Sequence, residues 1–121
     1  MREMYPARTK MLSGGDSAGI SSSNLLLYYV IYGEMTLTGR LQLTLMPEGF
    51  AVFNPDEAHR YTLAPNSLAL RLEFYQSALL EMTKNPLLNI QCDDQRSSKE
   101  DAQELRFQMK RLLHAYTYPN E

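Results

Sequence analysis

The chain has no tryptophan, a single cysteine, two histidines and no excess of positive charge, and each shortage closes off a class of function. Cys92 alone forms no internal disulfide, which fits a reducing compartment and leads us to expect a cytoplasmic protein. Twelve Lys and Arg stand against fourteen Asp and Glu, a formal charge of -2. A nucleic-acid binder would show the reverse, with basic residues gathered on one face. The longest apolar run, Leu25 to Tyr32, is less than half of what a bilayer crossing needs. No basic-then-apolar leader opens the chain, so no secretory signal is expected. There is no Gly-rich phosphate loop, no CxxC and no HExxH. What is present is 121 residues, 44% of them hydrophobic, enough for one domain with a packed core.

Residues 1–23 differ from the rest. Ser13-Gly14-Gly15-Asp16-Ser17 and Ser21-Ser22-Ser23 are small, polar and turn-forming. They read as an arm or irregular lead-in, with one short strand around Tyr5 to Met11. From Asn24 the pattern turns to short strands: Leu25 to Tyr32, Met35 to Thr38, Leu41 to Met46, Phe50 to Phe53, His59 to Leu63 and Ser67 to Tyr75. Leu41, Leu43 and Leu45 alternate with Gln42 and Thr44, the period of a half-buried strand. Thr38-Gly39-Arg40 reads as a hairpin turn in which Gly39 takes a positive φ. This rhythm of turns points to an all-β sandwich or barrel rather than to βαβ units. Ser77 to Lys84 reads as a helical turn and Leu87 to Cys92 as one more strand, giving a barrel over 24–92. A polar loop then opens the last segment, 93–121.

That segment holds the strongest element. Ser97-x-x-Glu100 and Ser98-x-x-Asp101 both match a capping box. Acidic residues open the stretch and Arg106, Lys110 and Arg111 follow, the order a helix dipole favours. Ala102, Leu105, Met109, Leu112 and Tyr116 recur at three- and four-residue steps, a heptad-like seam. Such a seam packs either on its own barrel or against the same helix of a second chain. The second arrangement predicts a homodimer interface at Leu105, Met109, Leu112 and Tyr116, so that Leu105→Asp or Leu112→Asp would give a folded monomer.

The strand parities nominate a ligand site. Leu68, Leu70, Leu72 and Phe74 share one face, while Arg71, Glu73 and Tyr75 share the other with Ser67 and Ala69. If the polar face looks outward, Arg71 and Glu73 are an ordinary solvated pair. If it looks into the barrel they need partners, which a polar ligand can supply. His59 and Tyr61 share parity, and Tyr28 offers the flat surface and polar tip that sugar-like ligands use. His59 also has two readings, a hydrogen-bonded residue near a barrel mouth or a lone metal ligand. Cys92 reads as a small core residue.

Tyr28-Tyr29-Val30-Ile31-Tyr32-Gly33, then Leu45-Met46-Pro47-Glu48-Gly49-Phe50, then Phe53-Asn54-Pro55 and His59 resemble a cupin barrel. More narrowly, with Asn89 to Asp93 and the helix after it, residues 24–116 resemble the N-terminal sensor domain of AraC-type transcription regulators. Phe50 stands where that pattern has an acidic residue. Metal-dependent cupins have histidines and a glutamate at places that fall near Ser21 to Ser23 and Leu26, so His59 alone matches their ligand set. The resemblance implies a mostly β, cupin-like barrel with a C-terminal amphipathic helix, no metal or other cofactor, and no catalytic residue. It implies a small-molecule effector, a sugar or related metabolite, bound by His59, Tyr61, Tyr28, Arg71 and Glu73. It also implies a homodimer, and DNA contact only through a helix-turn-helix domain absent from this chain. The rival expectations are a small cupin enzyme acting on a carbohydrate or small acid, and a bare carbohydrate-binding module.

Overall fold

In a computed structural model, which describes residues 8–75 and 98–117, the central strand carries most of the architecture. Strands β1 (Arg8–Ser13), β2 (Ser17–Ile20), β3 (Leu25–Tyr32), β4 (Met35–Thr38), β5 (Gln42–Leu45), β6 (Phe50–Phe53), β7 (His59–Leu63) and β8 (Leu68–Phe74) precede one helix, α1 (Lys99–Thr117). They form two antiparallel sheets of order β1-β8-β3-β6 and β2-β7-β4-β5. Apart from the β4–β5 hairpin, successive strands alternate between the sheets, as in a jelly roll. The first six residues of β3 are all buried. It lies between two covered faces, so its sequence is a continuous apolar run instead of an alternating one.

One face of the first sheet looks toward the second sheet. Leu12, Leu26, Tyr28, Val30, Ala51, Phe53 and Ala69 meet Met35, Leu37, Leu45, Tyr61 and Leu63 there. The other face is covered by α1: Leu25, Leu27, Tyr29, Phe50, Val52, Leu70, Leu72 and Phe74 pack with Ala102, Leu105 and Met109. The helix starts as its cap dictates, with Ser98 Oγ accepting from the Asp101 amide at 3.1 Å. It also clamps the β5–β6 turn. Arg106 Nε donates to the Glu48 carbonyl at 3.0 Å, and Lys110 Nζ lies 2.6 Å from the Glu48 carboxylate.

Two of the four residues expected at a dimer interface, Leu105 and Met109, pack instead on the chain's own first sheet. Leu105 and Met109 are 0% exposed within a single chain, and Leu112 packs against the same cluster. Joining two helices through them would strip them from their own sheet. Tyr116 lies on α1, and its side chain is outside the described part.

The strand expected around Tyr5 to Met11 overlaps β1 over Arg8 to Met11, and β2 adds a second strand to the lead-in. Residues 8–20 supply an edge strand to each sheet, Arg8–Ser13 pairing with β8 and Ser17–Ile20 with β7. Their polar composition suits edge strands, and Leu12 alone is fully buried. A tight turn joins the two, with Gly15 at φ 91° and the Ser13 amide donating to Asp16 Oδ2 at 2.9 Å.

Residues 39–41 do close the β4–β5 hairpin. The positive φ values among glycines, however, belong to Gly15 and Gly33, not Gly39. Gly39 is small because a Cβ there would come within 3.1 Å of the His59 Cβ. The expected helical turn at 77–84 and strand at 87–92, with Cys92, lie outside the described residues.

Candidate functional site

Register and parity together decide what faces the space between the sheets. On β8, Leu70, Leu72 and Phe74 point to α1, whereas Ala69 belongs to the cluster between the sheets. Arg71 and Glu73 share the parity of Ala69 and so take the inner side. The apolar stripe of this strand thus faces the helix, and its polar stripe faces the sandwich interior. Arg71 stands opposite Tyr28, and Glu73 opposite Leu26, across the β3–β8 ladder. From the facing sheet, His59 and Tyr61 project from β7, both buried.

Tyr28, His59 and Tyr61 form one cluster between the sheets, with Arg71 opposite Tyr28 on the adjacent strand and Glu73 two residues further along β8. Tyr28 is at the centre of that cluster, 0% exposed. Its hydroxyl lies 2.6 Å from His59 Nε2, and its ring meets Phe53 edge-on at 5.8 Å and Tyr61 at 6.0 Å. Phe53 stacks on the His59 ring at 3.8 Å. Glu73 Oε2 accepts from Asn24 Nδ2 at 2.8 Å. Tyr75, beyond the end of the strand, is exposed.

The protonation states follow from the partners. His59 Nδ1 lies 3.1 Å from the Glu57 carbonyl, which only accepts, so Nδ1 bears the hydrogen. Burial lowers the His59 pKa from its ordinary 6.5 and keeps the ring neutral. Nε2 is then an acceptor, and Tyr28 O–H donates to it. Burial also pushes the Tyr28 phenol up to about 12, against the opposing pull of the Arg71 charge. The phenol stays protonated at neutral pH, and its oxygen keeps lone pairs for a further donor.

These residues do not fit a metal centre. Both ring nitrogens of His59 are engaged, and the Glu57 carboxylate caps the Asn54 amide at 3.0 Å while facing Arg40 at 3.8 Å. Among the described residues no three His, Cys, Asp or Glu converge.

Two site residues were not foreseen from the sequence. Arg8 and Lys10 share the parity of Leu12, which is in the inner cluster, and stand opposite Glu73 and Arg71 respectively. Arg8, Thr9, Lys10, Arg71 and Glu73 line an open cleft of about 510 Å³. The signal was the period-two spacing of Arg8, Lys10 and Leu12, masked by the polar turn that follows. No helix among the described residues is long and apolar enough to cross a membrane.

No family model matches the chain, and no protein of curated function does. Solved structures do resemble it. A cupin superfamily protein from Desulfitobacterium hafniense aligns with a TM-score of 0.51 at 17% identity, over 63% of this chain and 75% of that one. The cupin_2 domain of an XRE-family transcriptional regulator from Enterobacter cloacae aligns with a TM-score of 0.47 at 20% identity, over 55% and 77%. A predicted oxalate decarboxylase from Thermotoga maritima aligns with a TM-score of 0.48 at 14% identity, over 55% of this chain and 63% of that chain. The D. hafniense match identifies the fold as that of a cupin sandwich.

Proposed function

We propose that this chain is the effector-sensing domain of a transcription regulator of the AraC type. It binds a small molecule at the mouth between its sheets and controls a DNA-binding domain outside this chain. The observation that carries the reading is the orientation of β8, with Arg71 and Glu73 turned into the sandwich beside Tyr28 and Lys10. A charged stripe directed inward, on a strand whose outer face is closed by its own helix, suits ligand binding better than core packing.

The same strand supplies a route for the signal. Arg71 and Glu73 alternate with Leu70, Leu72 and Phe74, which pack on Ala102, Leu105 and Met109 of α1. A ligand that binds one setting of β8 better than another shifts the population of helix positions by its difference in affinity. If a second copy joins the assembly, it uses a surface other than the Leu105–Met109 seam. The order of the motifs over residues 24–116 supports the regulator reading.

The test is a thermal-shift screen of small metabolites on the purified chain and on Arg71→Gln, with the gene read past codon 121. Ligand stabilisation lost in the variant, and a helix-turn-helix sequence beyond codon 121, are the expected results. Stabilisation unaffected by Arg71→Gln would refute the site. Turnover lost in His59→Ala would replace the reading with a small cupin enzyme.

A further inference from the structure

The cleft along β1 and β8 has an imbalance of charge. Three cations, Arg8, Lys10 and Arg71, line it with one anion, Glu73. Lys10 and Arg71 are directly opposite on adjacent strands, where like charges repel. Glu73 does not relieve that pair, since it lies opposite Arg8 and already accepts from Asn24. Arg71 Nη1 is buried and has no hydrogen-bond partner among the described residues. A buried guanidinium nitrogen without an acceptor is costly, and native structures rarely leave one without a reason.

We infer that the ligand of this cleft is a small hydroxy acid, held by its carboxylate on Arg71 and Lys10 and by a hydroxyl on Glu73. The inference rests on the sensor reading and narrows its ligand class. A carboxylate supplies the acceptor that Arg71 Nη1 lacks, in the forked geometry that guanidinium favours. It also cancels the repulsion between Arg71 and Lys10. The Glu73 carboxylate accepts hydrogen bonds and calls for a donor on the same molecule. A neutral sugar meets the need of Glu73 but leaves the cationic pair uncompensated. A cleft of about 510 Å³ is ample for a molecule of six or so carbons.

The experiment is calorimetric titration and thermal shift on the whole chain with galacturonate, gluconate and citrate. Galactose serves as the neutral match to galacturonate, and sodium chloride holds ionic strength constant. The expected result is that at least one acid binds and raises the melting temperature while galactose does not. Arg71→Gln should weaken that binding about tenfold or more, since a charge-assisted hydrogen bond is lost. Lys10→Gln gives the same readout with a smaller loss and stands in if Arg71→Gln does not fold. Lys110→Gln, on the helix, should bind as the unmodified chain does. Galactose binding as tightly as galacturonate, and lost in Arg71→Gln, would overturn the acid class and leave the sensor site standing. Acids binding equally well to Arg71→Gln and Lys10→Gln would overturn the site itself. No response to any of the three acids beyond that to chloride would overturn the inference.

Discussion

Tyr28→Phe isolates the hydrogen bond on which the interior arrangement turns. The substitution keeps the ring, and with it the edge-on contact to Phe53 and the approach to Tyr61. It removes only the hydroxyl, whose partner His59 Nε2 is 2.6 Å away. Because His59 is buried and its Nδ1 is already held by the Glu57 carbonyl, Nε2 is left without a donor. Leaving one buried acceptor unpaired costs about 1–3 kcal/mol. For a domain of this size that is a fall in melting temperature of roughly 4–15 °C.

The substitution also carries a signature at high pH. The Tyr28 phenol is raised from 10 to about 12, so above pH 10 the unfolded chain releases a proton that the folded chain keeps. Stability contributed by this group is complete below pH 10 and is lost as pH rises through about 12. Two pH units amount to about 2.7 kcal/mol. Urea unfolding of the unmodified chain and of Tyr28→Phe between pH 8 and pH 11 measures both effects. The destabilisation at pH 8 should shrink above pH 10, where the unmodified chain loses what its phenol supplied. A variant as stable as its parent at pH 8, with the same slope above pH 10, would refute the buried, donating hydroxyl.

Other perturbations test the rest of the packing. Leu105→Ala should cost about 2–5 kcal/mol in chemical denaturation, because the side chain is buried between α1 and the first sheet. Leu105→Asp should unfold or loosen the chain, and a stable folded Leu105→Asp in circular dichroism and sedimentation would return the seam to an intermolecular role. Ser98→Ala should cost about 1 kcal/mol by removing the oxygen that accepts from the Asp101 amide. His59, with its pKa held below 6.5 by burial, contributes stability that is complete above pH 6.5 and falls as pH drops toward its folded pKa. Denaturation midpoints from pH 7.5 to pH 5 should fall for the unmodified chain, and His59→Gln should flatten its share of that slope.

Strands β3 to β8 were legible because Gly, Pro and Asn punctuate them and because each run suits a half-buried or fully buried strand. The helix was legible from Ser98, from the acidic first turn and from the seam. The partner of that seam was not, since one apolar stripe serves a sheet as well as a second helix. Only the way the first sheet's outer face is covered decides it: β8 turns Leu70, Leu72 and Phe74 to α1, and this same choice sends Arg71 and Glu73 inward. Residues 8–20 were hidden for a related reason. Edge strands have one ladder partner and a wet side, so their composition resembles a lead-in. Arg8 and Lys10 join the site through pairing with β8, a long-range register that local pattern does not encode. Gly39 was read for its turn when the constraint was the nearby His59.

The inward orientation of Arg71 and its engagement by ligand are the central claim, and side-chain NMR reports on both. In a titration with galacturonate at constant ionic strength, the Arg71 Nε–H resonance and the backbone amides of Lys10 and Glu73 should move together and saturate. The amides of Gln42 and Thr44, on β5 of the second sheet, should move little. A saturating titration that shifts those β5 resonances and leaves Arg71, Lys10 and Glu73 in place would contradict the account.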